Sequence, residues 1–180
     1  KGIPAALLVA KLSAEIRFAL AIESDPAKAV ARMNMSFIRG GWEDRFVTLI
    51  VAVLDLARHE VQIVNAGHMP PYLRHRNQRV EPVGGDAAGL PIGVDADFEY
   101  EQLVLPLAAG DSLTLFTDGI SEAMNATEAL YGLERLEAQI KTTTDDGIST
   151  LGRALLDDVK KFVGRTPQRD DMCLVCFGRG

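Results

Sequence analysis

The chain has 180 residues, of which 47% are hydrophobic and 24% charged, values typical of one globular domain and not of a disordered chain, a coiled coil or a collagen-like repeat. Its formal net charge of -6 argues against binding to a nucleic-acid backbone, which requires clustered Lys and Arg, and leaves room for a bound cation. No apolar run is as long as a membrane span. The two cysteines and three scattered histidines do not suit a structural zinc site. With so few cysteines, we expect a reduced, cytoplasmic protein.

The first forty residues show the patterns of two helices. Apolar residues recur at helical spacing from Gly2 to about Ile22, which predicts the first helix. Residues 24–26, Ser-Asp-Pro, combine N-cap residues with a first-turn proline and predict the start of a second helix, which Gly40 and Gly41 end.

The middle of the chain changes to the patterns of β-strands. The first two predicted strands are joined by the short link 57–59 and therefore predict an antiparallel hairpin. Polar turns separate the strands of the next two pairs in the same way. The predicted strands cover residues 45–56, 60–65, 71–75, 79–83, 98–105 and 112–116.

Helical patterns return after Gly119, in residues 120–124, 133–140 and 148–163. The apolar run 172–177 then predicts a buried strand that closes the chain. This order of helices, strands, helices and one strand favours an α+β fold, with antiparallel sheets covered by helices, over an alternating parallel fold.

Two acidic positions stand at the ends of apolar strands. Asp118 follows one strand and precedes Gly119, which permits a sharp turn, and the pair Asp170 and Asp171 directly precedes the closing strand. If both strands are central and neighbouring, their carboxylates converge at one sheet edge. Two charges about 4 Å apart repel by roughly 4 kcal/mol at an effective dielectric of about 20, unless a proton or a cation lies between them. Oxygen ligands of this kind suit Mg²⁺ or Mn²⁺.

These aspartates also have a purely structural interpretation. Asp118 can initiate a turn or cap a helix that begins near Ser121, because strand-end aspartates are common turn residues. Asp170 and Asp171 can form a polar flank of the closing strand. The spacing of the residues leaves both interpretations open.

Eight short segments of the chain form an ordered set. They are K-G-I-P-A-A at 1–6, F-V-T-L at 46–49, N-A-G-H-M-P-P at 65–71, G-L-P-I-G-V at 89–94, G-D at 110–111, T-D-G-I-S-E-A at 117–123, Y-G at 131–132 and D-D-M at 170–172. In this order they resemble the SpoIIE-type protein phosphatases, the bacterial, RsbU-like branch of the metal-dependent PPM (2C-like) serine/threonine phosphatases. The resemblance covers nearly the whole chain.

The resemblance implies a fold and a site. The fold is an α-β-β-α layered sandwich of mainly antiparallel sheets flanked by helices, with two Mn²⁺ or Mg²⁺ ions at one edge that activate a bridging water. Such ions lower the pKa of bound water from about 15.7 toward about 7, so that it attacks a phosphoryl group without a covalent enzyme intermediate. By match to the family's motifs, Asp118 and Asp170 are the metal-binding and catalytic residues, supported by Gly119 and Asp171.

The resemblance also implies a substrate and partners. The expected reaction is hydrolysis of phosphoserine or phosphothreonine on a STAS-type anti-sigma-factor antagonist in bacterial partner-switching signalling. An upstream sensor or receiver domain and a homodimer are further expected partners. Two alternatives stay open: a non-catalytic interaction module with the same fold, and a metal-dependent hydrolase of a small phosphate ester.

The chain departs from the family's pattern at its beginning. In the family, a G-G-D segment followed by aromatics and a D-x-x-G-K-G segment supply the other metal ligands, whereas this chain starts at the Lys of the second segment. The internal G-G-D at 84–86 lacks the aromatics and is not a substitute. We therefore expect residues 1–180 to be a single phosphatase domain without its N-terminal strands, which binds metal weakly and turns over slowly or not at all.

Three side chains in other motifs have a structural and a chemical interpretation. His68 follows a predicted strand and precedes two prolines, and we favour a turn-stabilising role over a role as general base. Cys173 and Cys176 have redox-like spacing but lie in an apolar run, so we favour core packing.

The second predicted helix has an apolar face with Met33, Met35 and Phe37. Such a face packs either inside the domain or on a partner subunit or sensor domain, and amphipathic helices usually bury it within the domain. The sequence leaves both uses open.

Overall fold

The helices and strands follow one another in nearly the predicted order in this computed structural model, which describes residues 3–41, 45–142 and 148–180. The elements are α1 (Ile3–Ile22), α2 (Pro26–Arg39), β1 (Leu49–Asp55), β2 (Glu60–Ala66), β3 (Tyr72–Arg74), β4 (Val80–Pro82), β5 (Ala88–Gly89), β6 (Leu103–Pro106), β7 (Ser112–Phe116), α3 (Asp118–Ser121), α4 (Leu133–Thr142), α5 (Ile148–Val163) and β8 (Leu174–Gly178). The chain divides into unit 1, Lys1–His68 with Asp86–Leu105, and unit 2, Met69–Gly85 with Pro106–Gly180.

Helix α2 of unit 1 begins and ends where the sequence predicts. The Asp25 carboxylate accepts a hydrogen bond from the amide of Ala27 at 2.9 Å and thereby satisfies one of the amides that a helix N-terminus leaves unpaired. The helix ends at Gly40. The predicted start of the preceding helix at Gly2 lies outside the described residues, and α1 is described from Ile3.

Strands β1 and β2 form the predicted antiparallel hairpin of unit 1. They pair from Leu49 opposite Ala66 to Asp55 opposite Glu60, and the Asp55 carboxylate accepts the amide of Ala57 in the turn at 3.0 Å. Strand β2 also pairs with β6 and, in parallel, with β5.

The apolar faces of the two helices and the hairpin form the core of unit 1. Met33 and Phe37 are 2% and 0% exposed within it, whereas Met35, on the other side of α2, is 36% exposed. The face that carries Met33 and Phe37 therefore packs inside the unit, and the alternative that it covers a partner is wrong for these two residues. They are four positions apart in α2, so both point to the same side of the helix, toward the sheet.

The predicted strand 98–105 differs from the observed one. Only Leu103–Pro106 is a strand, and it pairs with β2 and not with β7. The preceding residues Phe98 and Tyr100 pack their rings edge to face at 4.9 Å against the backbone of Gly89, where an added Cβ would lie 2.7 Å from the Phe98 ring. This packing takes the place of strand pairing.

Unit 2 is built on a four-stranded antiparallel sheet in the order β4-β3-β7-β8. Helices α4 and α5 pack on it, and the short helix α3 follows β7 directly. The buried side chains of this core are Tyr72, Phe116, Ile120, Ala123, Tyr131, Leu136, Ile140, Leu151, Leu155 and Val159.

The closing strand is shorter and less buried than predicted. It begins at Leu174, and among the described residues it is the last strand in the order of its sheet. Leu174 and Cys176 face the unit 2 core, whereas Val175 is 50% exposed, since alternate residues of a strand face opposite sides. Cys173 precedes the strand and is exposed, so the prediction that both cysteines pack in the core is wrong for Cys173.

Each unit thus places helices on a mainly antiparallel sheet, which confirms the α+β class. Among the residues that the structure describes, none of the helices combines the length and apolar character that crossing a membrane requires.

Candidate functional site

Asp118 lies at the point where the buried strand β7 changes into helix α3. Thr117 is extended and is the N-cap residue, and Asp118 is the first residue of the helix, so the alternative of a cap for a helix beginning near Ser121 is wrong. The Asp118 carboxylate accepts the amide of Gly119 at 2.8 Å, and its carbonyl accepts the hydroxyl of Ser121 at 3.1 Å and the amide of Glu122 at 2.8 Å. The bond from Gly119 orients the carboxylate, and the two bonds to the carbonyl hold the first turn of α3. The Asp118 side chain stays exposed.

Asp170 and Asp171 lie in the segment that enters β8. The Asp170 carboxylate accepts the amide of Asp171 at 2.9 Å, and the carbonyl of Asp170 accepts the side-chain amide of Gln168 at 2.7 Å. Both aspartates are exposed. The second acidic segment thus repeats the arrangement of the first, with a carboxylate held by the next amide of the chain.

Thr117 joins the two acidic segments. Its amide donates to the carbonyl of Cys173 at 3.1 Å, which extends the β7–β8 pairing by one step. Its hydroxyl accepts the amide of Cys173 at 2.9 Å and donates to the carbonyl of Asp171 at 3.4 Å. Three hydrogen bonds from one residue therefore fix the main chain after Asp170 beside the end of β7.

Gly119 lies directly against the second acidic segment. A Cβ at this position would lie 2.3 Å from the carbonyl oxygen of Asp171, a separation that no side chain tolerates. The residues on both sides of Asp118 therefore contact the main chain next to Asp170. The structure brings the two predicted aspartates to the same end of one sheet, although β8 is not a central strand as the sequence argument assumed.

The donors at this sheet end suit a hard cation in type but not in number. Carboxylate oxygens are preferred ligands of Mg²⁺ and Mn²⁺, and Asp118 and Asp170 present them on the exposed side of the sheet end. Within the described ranges, no group of three or more His, Cys, Asp or Glu side chains is arranged to hold a metal ion. The two aspartates would therefore supply part of a coordination sphere.

A cleft of about 190 Å³ lies beside this sheet end, with Gly119 and Asp170 in its wall. Its other lining residues are Glu122, Ala123, Met124, Val163, Pro167, Gln168, Arg169 and Met172. The Arg169 guanidinium donates to Sδ of Met124 at 3.0 Å and lies 3.6 Å from a carboxylate oxygen of Glu128. Contacts with Met124 and Glu128 thus hold the positively charged side chain of Arg169, a residue of the cleft wall that directly precedes Asp170.

The N-A-G-H motif is a turn in unit 1. The Asn65 side chain accepts the amide of His68 at 2.7 Å and donates to its carbonyl at 3.0 Å. Gly67 has a φ of +70°, and a Cβ there would lie 2.6 Å from the ring of Pro91. The Asn65 side chain and Gly67 therefore shape this turn, to which His68 contributes its main-chain amide and carbonyl.

Two polar contributions in unit 2 were not predicted from the sequence. Thr117 could have been noticed as the hydroxyl residue between a buried strand and the acidic position. The other is an ion pair in which Arg135 of α4 contacts Asp158 of α5 through two nitrogens, at 2.9 and 3.1 Å, while Tyr131 donates to the same carboxylate at 2.8 Å. The hydrogen bonds from Arg135 lower the pKa of Asp158, and burial raises the pKa of Tyr131.

Comparisons with known proteins identify the family of the chain. The family model described as Stage II sporulation protein E (SpoIIE) matches residues 1–180. The chain is 27% identical over 123 residues to phosphoserine phosphatase RsbU of Bacillus subtilis (strain 168), covering 68% of this chain and 36% of RsbU. It is 26% identical over 178 residues to phosphoserine phosphatase RsbP of the same organism, covering 97% of this chain and 42% of RsbP.

A solved structure shares the fold. The PP2C domain of SiaA from Pseudomonas aeruginosa superposes with a TM-score of 0.83 at 22% identity, over 99% of this chain and 72% of that one. The chain spans less than half the length of the two curated relatives named above.

Proposed function

Because the chain belongs to the SpoIIE family of metal-dependent phosphatases, within the PPM (2C-like) superfamily, we propose that it carries the catalytic core of a protein phosphatase acting on phosphoserine or phosphothreonine. The observation that carries this proposal is the contact between two acidic segments at one sheet end, made by Thr117 and Gly119.

In this proposal Asp118 and Asp170 are the metal ligands, and two Mn²⁺ or Mg²⁺ ions occupy the complete site. When bound, such ions supply the Lewis acidity that makes water a nucleophile near neutral pH and that neutralises charge on a phosphoryl group. The chain's own residues orient the donors. The Gly119 amide turns the Asp118 carboxylate, the Asp171 amide turns that of Asp170, and the bare backbone of Gly119 lets the two segments approach.

The adjoining cleft suits the chain of a protein substrate next to its phosphorylated residue. It combines an apolar surface, including Met124 and Met172, with the guanidinium of Arg169 at its edge. We propose a phosphorylated STAS-type anti-sigma-factor antagonist as the substrate, in bacterial cytoplasmic partner-switching signalling. The similarity to two proteins named phosphoserine phosphatases supports phosphoserine as the group that is hydrolysed.

We also propose that residues 1–180 act as one phosphatase domain that requires metal ligands from elsewhere in the protein, under the control of a sensor or receiver domain and as a homodimer. The incomplete donor set among the described residues supports this proposal. Without those further ligands, residues 1–180 are expected to bind Mn²⁺ weakly and to release phosphate slowly or not at all.

The test measures Mn²⁺-dependent phosphate release from a phosphoserine protein by the full-length protein. Asp118→Asn is expected to lower the rate about a hundredfold or more, because an amide replaces a charged metal ligand. Asp157→Asn is the matched control, since Asp157 is an exposed aspartate on α5 whose side chain is 67% exposed, and it is expected to leave the rate unchanged.

Two other outcomes separate the alternatives. A folded full-length protein without metal-dependent release would favour the non-catalytic interaction module. Fast hydrolysis of p-nitrophenyl phosphate beside negligible release from phosphoproteins would favour a hydrolase of small esters.

A further inference from the structure

Thr117 makes more contacts with the second acidic segment than any role as a helix N-cap requires. Its hydroxyl lies between two main-chain groups of that segment, accepting from the Cys173 amide at 2.9 Å and donating to the Asp171 carbonyl at 3.4 Å. We propose that Thr117 is the positioning residue of the site, whose hydroxyl sets the separation of the Asp118 and Asp170 carboxylates. This inference rests on the proposed function.

The place of Thr117 in the sheet explains why a side chain is needed there. The paired residues of β7 and β8 end at Phe116 opposite Leu174, and one further backbone bond joins Thr117 to Cys173. Beyond this point β7 turns into α3, so the regular ladder cannot continue. The hydroxyl supplies the next two bonds across the gap between the strands.

The chemistry of the hydroxyl is specific to this task. A hydroxyl both donates and accepts, so a single oxygen can hold an amide and a carbonyl of the neighbouring segment at once. Thr117 and Gly119 lie on either side of Asp118, and both contact Asp171, the residue after Asp170. The hydroxyl draws the segment in and the bare glycine permits it to approach, so the two together define one separation.

A metal site is sensitive to such a separation. Residues that hold a ligand in place, without touching the ion, typically change metal affinity by about tenfold to a hundredfold when they are altered. The loss of the Thr117 hydroxyl is therefore expected to weaken metal binding while the fold stays intact, because both strands remain paired through their backbones.

The test compares three variants of the full-length protein. Thr117→Val keeps the shape and removes the hydroxyl, and Thr117→Ser keeps the hydroxyl and removes the methyl. Thr114→Val is the matched control, because Thr114 is a buried threonine on the same strand whose hydroxyl contacts Sγ of Cys176 at 3.7 Å. Mn²⁺ affinity is measured by calorimetry, and hydrogen exchange of the Cys173 amide is measured in metal-free protein.

Thr117→Val is expected to weaken Mn²⁺ binding about tenfold, to speed exchange of the Cys173 amide, and to lower kcat more than it raises KM. Thr117→Ser is expected to restore affinity and protection to within about twofold, and Thr114→Val to leave both at the wild-type level. Wild-type affinity in Thr117→Val, or an equal loss in Thr114→Val, would overturn the inference while leaving the phosphatase proposal standing. A wild-type protein that binds no Mn²⁺ would overturn both.

Discussion

The residues on either side of Asp118 decide whether its carboxylate has a neighbour. Thr117 reaches across to the main chain at Asp171 and Cys173 with its side chain, and Gly119 meets the same segment with bare backbone. Asp118 itself could be identified from the sequence, because an aspartate between a buried strand and a glycine is a local pattern. The roles of its neighbours depend on a segment more than fifty residues away, so the sequence alone did not reveal them.

Gly119 provides a prediction at this scale. In Gly119→Ala, the new Cβ would lie 2.3 Å from the Asp171 carbonyl oxygen, and backbone on both sides resists movement. We expect a loss of about 1–3 kcal/mol in the free energy of unfolding, together with weaker Mn²⁺ binding. Urea denaturation and calorimetry of the purified variant measure the two effects.

Gly152 in α5 offers the control for that substitution. A Cβ there meets its nearest neighbour, Sγ of Cys176, at 3.7 Å, which is an ordinary contact. Since alanine favours a helix over glycine by about 1 kcal/mol, Gly152→Ala should be neutral or stabilising. Equal stability losses in the two variants would show that Gly119 has no special steric role.

At the scale of elements, unit 2 depends on how α4 and α5 are joined as well as on its sheet. Arg135 of α4 holds Asp158 of α5 through two nitrogens, and its guanidinium lies 4.8 Å from the ring centroid of Phe162. Tyr131, which precedes α4, donates to the same carboxylate. This cluster connects the two helices that cover β3, β7 and β8, and so supports the sheet that carries the acidic segments.

The cluster predicts a pH dependence of stability. The hydrogen bonds from Arg135 hold the pKa of Asp158 below its ordinary value of 3.8. A carboxyl with a lowered folded-state pKa contributes stability that is present above its unfolded pKa and is lost as the pH falls through the folded value. Asp158→Asn is therefore expected to cost about 1–2 kcal/mol at pH 7, and the difference from wild type should shrink below about pH 4.

Urea denaturation at pH 7, 5 and 3 measures this difference. Asp157→Asn, which changes the adjacent exposed carboxylate, is expected to show little effect at any pH. A constant difference between wild type and Asp158→Asn from pH 7 to pH 3 would contradict the assignment to the ion pair.

At the scale of the whole molecule, each of the two units has its own core, and the residues of the candidate site belong to unit 2. Unit 1 packs its helices against a sheet around Met33, Phe37 and Ile92, and unit 2 carries Asp118 and Asp170 outside its own core. A metal that binds only the folded protein stabilises it by mass action, in proportion to the logarithm of its concentration. Binding at the site therefore has a readout that does not require a substrate.

We expect Mn²⁺ at a hundred times its dissociation constant to stabilise the full-length wild-type protein by about 2.7 kcal/mol. A chelator should reverse this effect. Asp118→Asn should show a smaller shift at the same Mn²⁺ concentration, and Asp157→Asn the wild-type shift. Denaturation followed with and without Mn²⁺ provides the measurement, and an unchanged shift in Asp118→Asn would count against its role as a ligand.

The elements that could be predicted from the sequence are those with local causes. The cap at Asp25, the end of α2 at Gly40 and the hairpin β1–β2 each depend on residues a few positions apart. Propensity, capping and turn geometry act over that range. The resemblance to the family, which rests on short ordered motifs, led us to propose Asp118 and Asp170 as the metal ligands.

Contacts between distant parts of the chain could not be predicted in this way. The pairing of β6 with β2, the burial of Met33 and Phe37, and the exposure of Cys173 each depend on which surface meets which. The same is true of the Thr117 hydroxyl. Local sequence patterns therefore predicted most of the helices and strands, the α+β class and the acidic positions. Folding decided which residues became their neighbours, because nonlocal contacts leave no periodic signal along the chain.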